Sequence, residues 1–149
     1  LELLRNEVLG KDRFDYAFKH YIKSWAYKHP TPWDFFRCME NAAGEDLHWF
    51  WKSWILQNLP LDQAVSVSRA SGTTTITITN LDKMAMPVTL FCETTSGVKQ
   101  TIKLPVEVWM NTDTYTIEMN DALKSVELDP KRILPDSNRD NNRWEKRAR

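Results

Sequence analysis

The spacing of apolar residues divides this sequence into a helical first part and a β-rich second part. In the first part, apolar side chains recur at steps of three and four residues, the period of an α-helix with one buried face. Four segments have this spacing, namely residues 1–9, 12–29, 31–44 and 47–57. We therefore expect about four helices within residues 1–59.

Residues that start or stop a helix mark the ends of these segments. Asp12, followed three residues later by Asp15, indicates a helix start. Pro30 ends that helix, because the residue before a proline is pushed out of the helical region. The run Thr31-Pro32-Trp33-Asp34 predicts the next start, with a threonine cap, a proline in the first turn and an acid three residues after the cap. Gly44 is expected to end that helix.

In the second part the apolar period changes to two, which is typical of strands with one buried face. Turns are expected at Ser71-Gly72 and Ser96-Gly97. The predicted strands are residues 64–69, 73–79, 87–95, 98–104, 114–119 and 125–128. Residues 105–109 are also expected to be extended, with Pro105 at an edge or a bend. Short strands with no helix between them indicate an antiparallel sandwich.

The predicted class is therefore α+β, with a helical block at the N-terminal end and a small antiparallel β-sandwich after it. We place the helical block at residues 1–59, the sandwich at 60–135 and a polar tail at 136–149. Residues 139–149 are locally basic, and we interpret them as a frayed, solvated end rather than a phosphate-binding arm.

The charge balance and the apolar runs exclude some classes of protein. The chain has 20 basic and 20 acidic residues, whereas nucleic-acid-binding proteins usually have a basic excess. No run of 18 apolar residues is present, so no membrane-spanning segment is predicted. Cys38 and Cys92 are expected to be buried free thiols, and they leave the compartment unknown. The sequence begins without methionine or a signal peptide, so we expect it to be cut from a longer protein.

The aromatic content of the first part is unusual. Residues 12–55 contain five of the seven tryptophans and all three histidines. Four short helices would have difficulty hiding so many rings, so we expect part of this surface to face a missing neighbour. The alternative is a dense aromatic core.

Motifs in both parts of the chain resemble a known family. In the first part they are Val8-Leu9-Gly10, Phe14, Tyr21, Trp25, Lys28-His29-Pro30-Thr31-Pro32, Asp34-Phe35-Phe36, Gly44, Asp46-Leu47, Trp49-Phe50 and Trp54. In the second part they are Asn80, Met86-Pro87-Val88, Leu104-Pro105-Val106, Trp109, Val126, Asp129-Pro130, Asp136, Asn141-Asn142 and Trp144. The chain resembles the zinc aminopeptidases of the M1 family, in the segment just after the catalytic centre and the sandwich domain that follows it.

The resemblance implies that the parent protein removes N-terminal residues from peptides. It also implies one zinc ion, held by two histidines of an H-E-x-x-H helix and by a later glutamate, with the glutamate of the motif as general base and a tyrosine as oxyanion stabiliser. Zinc, the catalytic part and the peptide substrate would then belong to the missing N-terminal part of the same polypeptide. No cofactor is expected in this chain.

The sequence itself lacks that catalytic motif. None of His20, His29 and His48 has another histidine four residues away, and no His-Glu pair occurs. We therefore assign no catalytic residue and no metal ligand to this chain, and its substrate-binding residues are unknown. The run Cys38-Met39-Glu40-Asn41 is similar to the family's G-x-M-E-N motif, but it lies late in a predicted helix, and we interpret it as a coincidence.

Several other residues have both a chemical and a structural interpretation. Four acids, Asp34, Glu40, Glu45 and Asp46, could form a carboxylate pair or could complement helix dipoles. The histidines are more simply explained by packing or solvation, and no nucleophile motif supports a Ser-His-Asp or Cys-His site. The alternative function is a non-catalytic module whose sandwich binds a protein or a glycan, with Trp109 in an exposed aromatic row. Burial of Trp109 would remove that candidate.

Overall fold

The computed structural model of the protein describes residues 1–147. Its contacts divide the chain between Asn58 and Leu59 into two compact units, here called the helical unit and the sheet unit. Helices come first, and two antiparallel sheets of three and four strands follow. The predicted α+β class with N-terminal helices is therefore confirmed. No helix within residues 1–147 is both long enough and apolar enough to cross a bilayer.

The helical unit contains three α-helices and two π-helical segments. The α-helices are α1 (Lys11–Trp25), α2 (Pro32–Ala43) and α3 (His48–Trp51). A π-helical turn, Leu4–Val8, precedes α1, and a second one, Lys52–Leu56, continues α3. Nine buried residues form the core of this unit: Leu4, Leu9, Phe14, Ala17, Phe36, Met39, Leu47, Phe50 and Trp51.

The ends of α1 differ from the prediction. The helix begins after Gly10, whose φ of 81° favours glycine, and Asp15 forms an ion pair with Arg5, the Arg5 Nε lying 2.6 Å from the Asp15 Oδ1. Asp15 is therefore not part of a helix cap. The helix ends at Trp25 rather than at His29, and Tyr27 takes a left-handed conformation with φ of 61°. The chain thus leaves the helix before Pro30 forces it to.

The predicted start and stop of α2 are confirmed. The backbone N–H of Asp34 donates to the Thr31 hydroxyl at 3.3 Å, and the Asp34 carboxylate accepts from the Thr31 backbone N–H at 2.9 Å. This is a capping box, which satisfies two donors that the helix end would leave free. Gly44 follows the helix with φ of 66°, in the left-handed conformation that ends many helices.

Replacing Thr31 with alanine should destabilise α2. Thr31→Ala removes the hydroxyl that accepts from Asp34, and we expect the free energy of unfolding to fall by about 1 kcal/mol. Thr31→Ser keeps the hydroxyl and serves as the control. Urea unfolding of both variants, followed by far-UV circular dichroism, measures the difference. Equal stability of Thr31→Ala and Thr31→Ser would contradict the capping role.

Over the residues that the structure describes, the sheet unit contains seven strands in two antiparallel sheets. The strands are β1 (Gln63–Ala70), β2 (Thr73–Asn80), β3 (Val88–Thr94), β4 (Lys99–Leu104), β5 (Thr114–Met119), β6 (Leu123–Leu128) and β7 (Arg143–Glu145). One sheet has the order β1-β2-β5 and the other β4-β3-β6-β7. Side chains alternate as the period of two predicts, with Ile76 and Ile78 buried on β2 and Val88, Leu90 and Cys92 buried on β3. Residues of both sheets belong to one hydrophobic cluster.

Two predictions about this unit are wrong. Residues 106–109, expected to be extended, form a 3-10 helix, Val106–Trp109. The chain end, expected to be frayed, is ordered over the part that the structure describes. Arg143–Glu145 forms β7 and pairs with β6, and a 3-10 turn, Arg139–Asn141, precedes it. The last two residues of the predicted tail, 148 and 149, lie outside the described residues.

Candidate functional site

The three histidines do not come together in a site. All three are exposed, and the Ser24 hydroxyl lies 3.5 Å from the Nε2 atom of His20. Within residues 1–147, no group of three or more His, Cys, Asp or Glu side chains is arranged to hold a metal ion. The described residues therefore do not fit the zinc site that the resemblance implies for the parent protein.

The run Cys38-Met39-Glu40-Asn41, which is similar to the family's G-x-M-E-N motif, has a structural explanation. Glu40 is half-buried on α2, and one of its carboxylate oxygens accepts two hydrogen bonds from the next helical segment. The donors are the backbone N–H of Leu47, at 3.3 Å, and the indole Nε1 of Trp51, at 3.1 Å. Glu40 therefore connects α2 to α3, and its carboxylate is engaged within the chain.

Removing the Glu40 carboxylate should destabilise the helical unit. Glu40→Ala leaves the Leu47 and Trp51 donors without this acceptor, and we expect the free energy of unfolding to fall by about 1–3 kcal/mol. Glu40→Gln keeps an oxygen in the same place and should retain most of the stability. Urea unfolding compares the two variants. If Glu40→Gln lost as much stability as Glu40→Ala, the charge rather than the two hydrogen bonds would be responsible.

The other three candidate acids are engaged separately. The hydroxyl and the backbone N–H of Thr31 both donate to the Asp34 carboxylate and hold its pKa below the ordinary value. Glu45 forms an ion pair with Arg13 at 2.7 Å, and Asp46 accepts a hydrogen bond from the backbone N–H of His48 at 2.8 Å. Each acid therefore has a structural partner of its own.

The two cysteines are free thiols in different surroundings. Cys92 is buried as expected, whereas Cys38 is only half-buried, so the prediction for Cys38 is wrong in degree. Burial raises the pKa of both thiols. A raised pKa lowers the fraction of thiolate at neutral pH, and the thiolate is the nucleophilic form. Neither thiol is activated by its surroundings.

The aromatic residues of the helical unit form one connected network. Ten rings make pairwise contacts with centroids 4.7–6.5 Å apart: Phe14, Phe18, Tyr21, Trp33, Phe35, Phe36, Trp49, Phe50, Trp51 and Trp54. Most of the aromatic content therefore serves a dense core. Trp33 belongs to the network but is 53% exposed, and Tyr16 and Tyr27 are exposed as well, so the expectation of a missing neighbour now concerns these side chains and stays a prediction.

Trp109, the candidate for an exposed aromatic row, is buried. Its side chain is 9% exposed, and its indole Nε1 donates to the backbone carbonyl of Met86 at 2.8 Å. Beside it lies an open groove of about 430 Å³, which is also lined by Asn80, Asp82 and Asp113. Among the described lining residues there is no histidine, cysteine or serine, so the groove contains no Ser-His or Cys-His pair. The binding-module alternative thus loses its best candidate residue.

The chain was compared with known proteins by sequence and by structure. No family model matches the sequence, and no curated protein matches it either. Among solved structures, the chain is similar to aminopeptidase A of Legionella pneumophila, whose crystal structure is a complex with aspartic acid. The TM-score is 0.59 and the sequence identity 15%, over 80% of this chain and 14% of that one. The chain therefore shares its fold with a small part of a peptidase.

Proposed function

We propose that the chain is a segment of a zinc-dependent aminopeptidase that removes N-terminal residues from peptides, and that this segment is scaffold rather than catalytic centre. The observation that carries the proposal is the fold likeness to an aminopeptidase over 80% of the chain. The residue pattern supports it separately, because it resembles the M1 family in both the helical and the strand part.

The contacts of the helical unit support a scaffold role. Two of the candidate acids stabilise this unit, Glu40 between α2 and α3 and Asp34 at the start of α2. The network of ten aromatic rings fills the space between these helices. A rigid support of this kind is what a catalytic constellation needs from the elements around it.

In this proposal the zinc site lies outside this chain. The described residues hold no fitting set of ligands, so the metal, the general base and the peptide substrate are assigned to an N-terminal catalytic part of the same polypeptide. That part is the main partner we propose for the exposed side chains of the helical unit.

Two experiments test the two halves of the proposal. The 149-residue chain is first incubated with aminoacyl chromogenic amides, with added zinc and with a chelator. We expect no turnover, and chelator-sensitive turnover would contradict the scaffold role. The gene that encodes the chain is then examined upstream of Leu1 for an H-E-x-x-H motif, and its whole product is assayed in the same way. Chelator-sensitive release of free N-terminal residues, with no cleavage of N-acetylated controls, is expected. A whole product without this activity would overturn the aminopeptidase assignment.

A further inference from the structure

Two neighbouring asparagines in the sheet unit each have one buried oxygen without a hydrogen-bond donor. Asn142 is 4% exposed and Asn141 is half-buried. The Oδ1 atoms of both are buried and accept no hydrogen bond from any described residue. The Oδ1 atom of Asn80, elsewhere in this unit, is also unpaired. Buried polar atoms are nearly always paired, and a bound water or ion is one explanation for an unpaired one.

The hydrogen bonds of the two amide nitrogens fix which atoms are unpaired. The Nδ2 of Asn141 donates to the Asp62 carboxylate at 2.7 Å, and the Nδ2 of Asn142 donates to the Asp136 carboxylate at 3.2 Å. An ionised carboxylate only accepts hydrogen bonds, so turning either amide around would place oxygen against oxygen. The unpaired atoms are therefore oxygens, each on an amide that touches a carboxylate.

The two carboxylates lack a neutralising cation. Asp62 and Asp136 are half-buried, and neither forms an ion pair within residues 1–147. Asp136 accepts hydrogen bonds from the backbone N–H groups of Gln63 and Asn138, both at 3.0 Å, but these donors are uncharged. Arg139 lies close in the sequence, and it pairs with a different carboxylate, that of Asp129, at 2.9 Å.

We propose that Asp62, Asp136, Asn141 and Asn142 form a calcium-binding site. Calcium takes six to eight oxygen ligands in a flexible arrangement, and carboxylates, amide oxygens and water are its usual ones. Two carboxylates balance its charge, and the two unpaired amide oxygens gain the partner that the chain does not give them. Zinc prefers nitrogen and sulfur ligands, so this site is separate from the zinc proposed for the parent protein. Two of its four ligand residues are asparagines, so the site contains fewer than three His, Cys, Asp or Glu side chains and agrees with the absence of such a group among the described residues.

The sequence around the two asparagines has the composition of a calcium loop. Asp or Asn occupies every second position from Asp136 to Asn142 (Asp-Ser-Asn-Arg-Asp-Asn-Asn), as in the first half of an EF-hand loop. The geometry is different, however, because the backbone carbonyl of Asn142 accepts from the Leu128 N–H at 2.8 Å and the Asn138 side chain accepts from the Asp140 N–H at 3.3 Å. The proposed ligands are therefore the free side-chain oxygens and not the regular loop positions.

A bound calcium ion would stabilise a junction of the sheet unit. Asp62 directly precedes β1, whereas Asp136 and the asparagines lie between β6 and β7. Protein contacts already join these places, since the Ser137 N–H donates to the Leu61 carbonyl at 2.9 Å. The ion would bind side chains on both sides of this junction. An ion that binds only the folded state raises the melting temperature.

The test uses the 149-residue chain after treatment with a chelator, with calcium then added back up to about 10 mM, above the weakest affinities of protein calcium sites. Thermal unfolding gives the melting temperature, and terbium luminescence excited through tryptophan gives direct binding, because Trp144 lies two residues from Asn142. Asp62→Asn removes one charge and keeps an acceptor for Asn141. Asp113→Asn, which removes an exposed carboxylate at a different place, is the matched control.

We expect a saturable rise in melting temperature with calcium that the chelator reverses. The apparent affinity should fall at least about tenfold in Asp62→Asn and remain unchanged in Asp113→Asn, because calcium affinity follows the charge of the ligands. Terbium luminescence should appear with the wild-type chain and be displaced by calcium. The proposal is overturned if calcium leaves the melting temperature unchanged, if magnesium at equal concentration has the same effect, or if Asp62→Asn responds like the wild-type chain.

Discussion

Replacing Trp51 with alanine is expected to lower the free energy of unfolding of the helical unit by about 3–5 kcal/mol, the range found for large aromatic residues in cores. Trp51 is 2% exposed, and its ring centroid lies 4.7 Å from that of Phe36 and 5.4 Å from that of Phe50. The substitution leaves a cavity at the centre of the aromatic network and removes a donor from Glu40. Both effects lower the free energy of unfolding.

Tyr16→Ala is the matched control for this prediction. Tyr16 is also an aromatic residue of the helical unit, but its side chain is 63% exposed, and surface substitutions usually change stability by no more than about 0.5 kcal/mol. Urea unfolding followed by far-UV circular dichroism measures both variants. A loss for Trp51→Ala no larger than that for Tyr16→Ala would mean that the aromatic network does not stabilise the helices.

The second large effect is expected for Asp129, which organises the chain after β6. Its carboxylate accepts hydrogen bonds from the backbone N–H groups of Ile133, at 3.0 Å, and Leu134, at 2.8 Å, and it pairs with Arg139. Asp129 is 7% exposed, so Asp129→Ala leaves the donors of Ile133, Leu134 and Arg139 without this acceptor. Arg139 keeps 29% of its side chain exposed, so we expect a loss at the lower end of the range of about 3–5 kcal/mol that breaking a buried ion pair costs.

Two further variants separate the causes of that loss. The φ of Asp129 is 42°, a left-handed conformation that asparagine tolerates better than alanine, so Asp129→Asn should lose less stability than Asp129→Ala. Glu93→Ala breaks a more exposed pair with Lys124, and its effect should be much smaller. The free energy of unfolding of the sheet unit is measured in denaturant. An Asp129→Ala variant as stable as Glu93→Ala would refute the role given to this carboxylate.

The parts of the fold that the sequence predicted are those with a local physical cause. The α2 start depends on four consecutive residues, Thr31 to Asp34, and its stop on Gly44, so both could be recognised without knowledge of the rest of the chain. The alternation on β2 comes from a row of threonines facing one way and isoleucines facing the other. In both cases the residues that decide the local structure lie within a few positions of one another in the sequence.

The failures have equally specific causes. Val106 and Val108 alternate as in a strand, but their segment is a 3-10 helix, so a period of two over four residues is too short to decide. The π-helical segments Leu4–Val8 and Lys52–Leu56 have no distinct sequence pattern, because a π-turn differs from an α-turn only in which carbonyl accepts. The strand β7 is three residues long and charged at both ends, and its pairing with β6 is a long-range contact that local propensity does not contain.

In the candidate site, too, the features that the sequence did not predict depend on contacts between distant residues. The sequence placed Glu40 in a false motif, and its true role depends on Trp51, which is eleven residues away and on another helix. The asparagines near the chain end belong to the motifs of the family resemblance, which do not indicate how their side chains are paired. Which of their side-chain atoms is unpaired depends on the carboxylates to which the amide nitrogens donate. Composition alone cannot reveal which polar atom lacks a partner.

The contacts between the start of β1 and the segment before β7 have a consequence for the kinetics of folding. The hydrogen bonds from Gln63 to Asp136 and from Asn141 to Asp62 span 73 and 79 residues. Each of them closes a long loop, and the conformational entropy of that loop is lost before the contact contributes any stability. The sheet unit therefore belongs to the class of domains whose folding rate is limited by the pairing of residues distant in sequence.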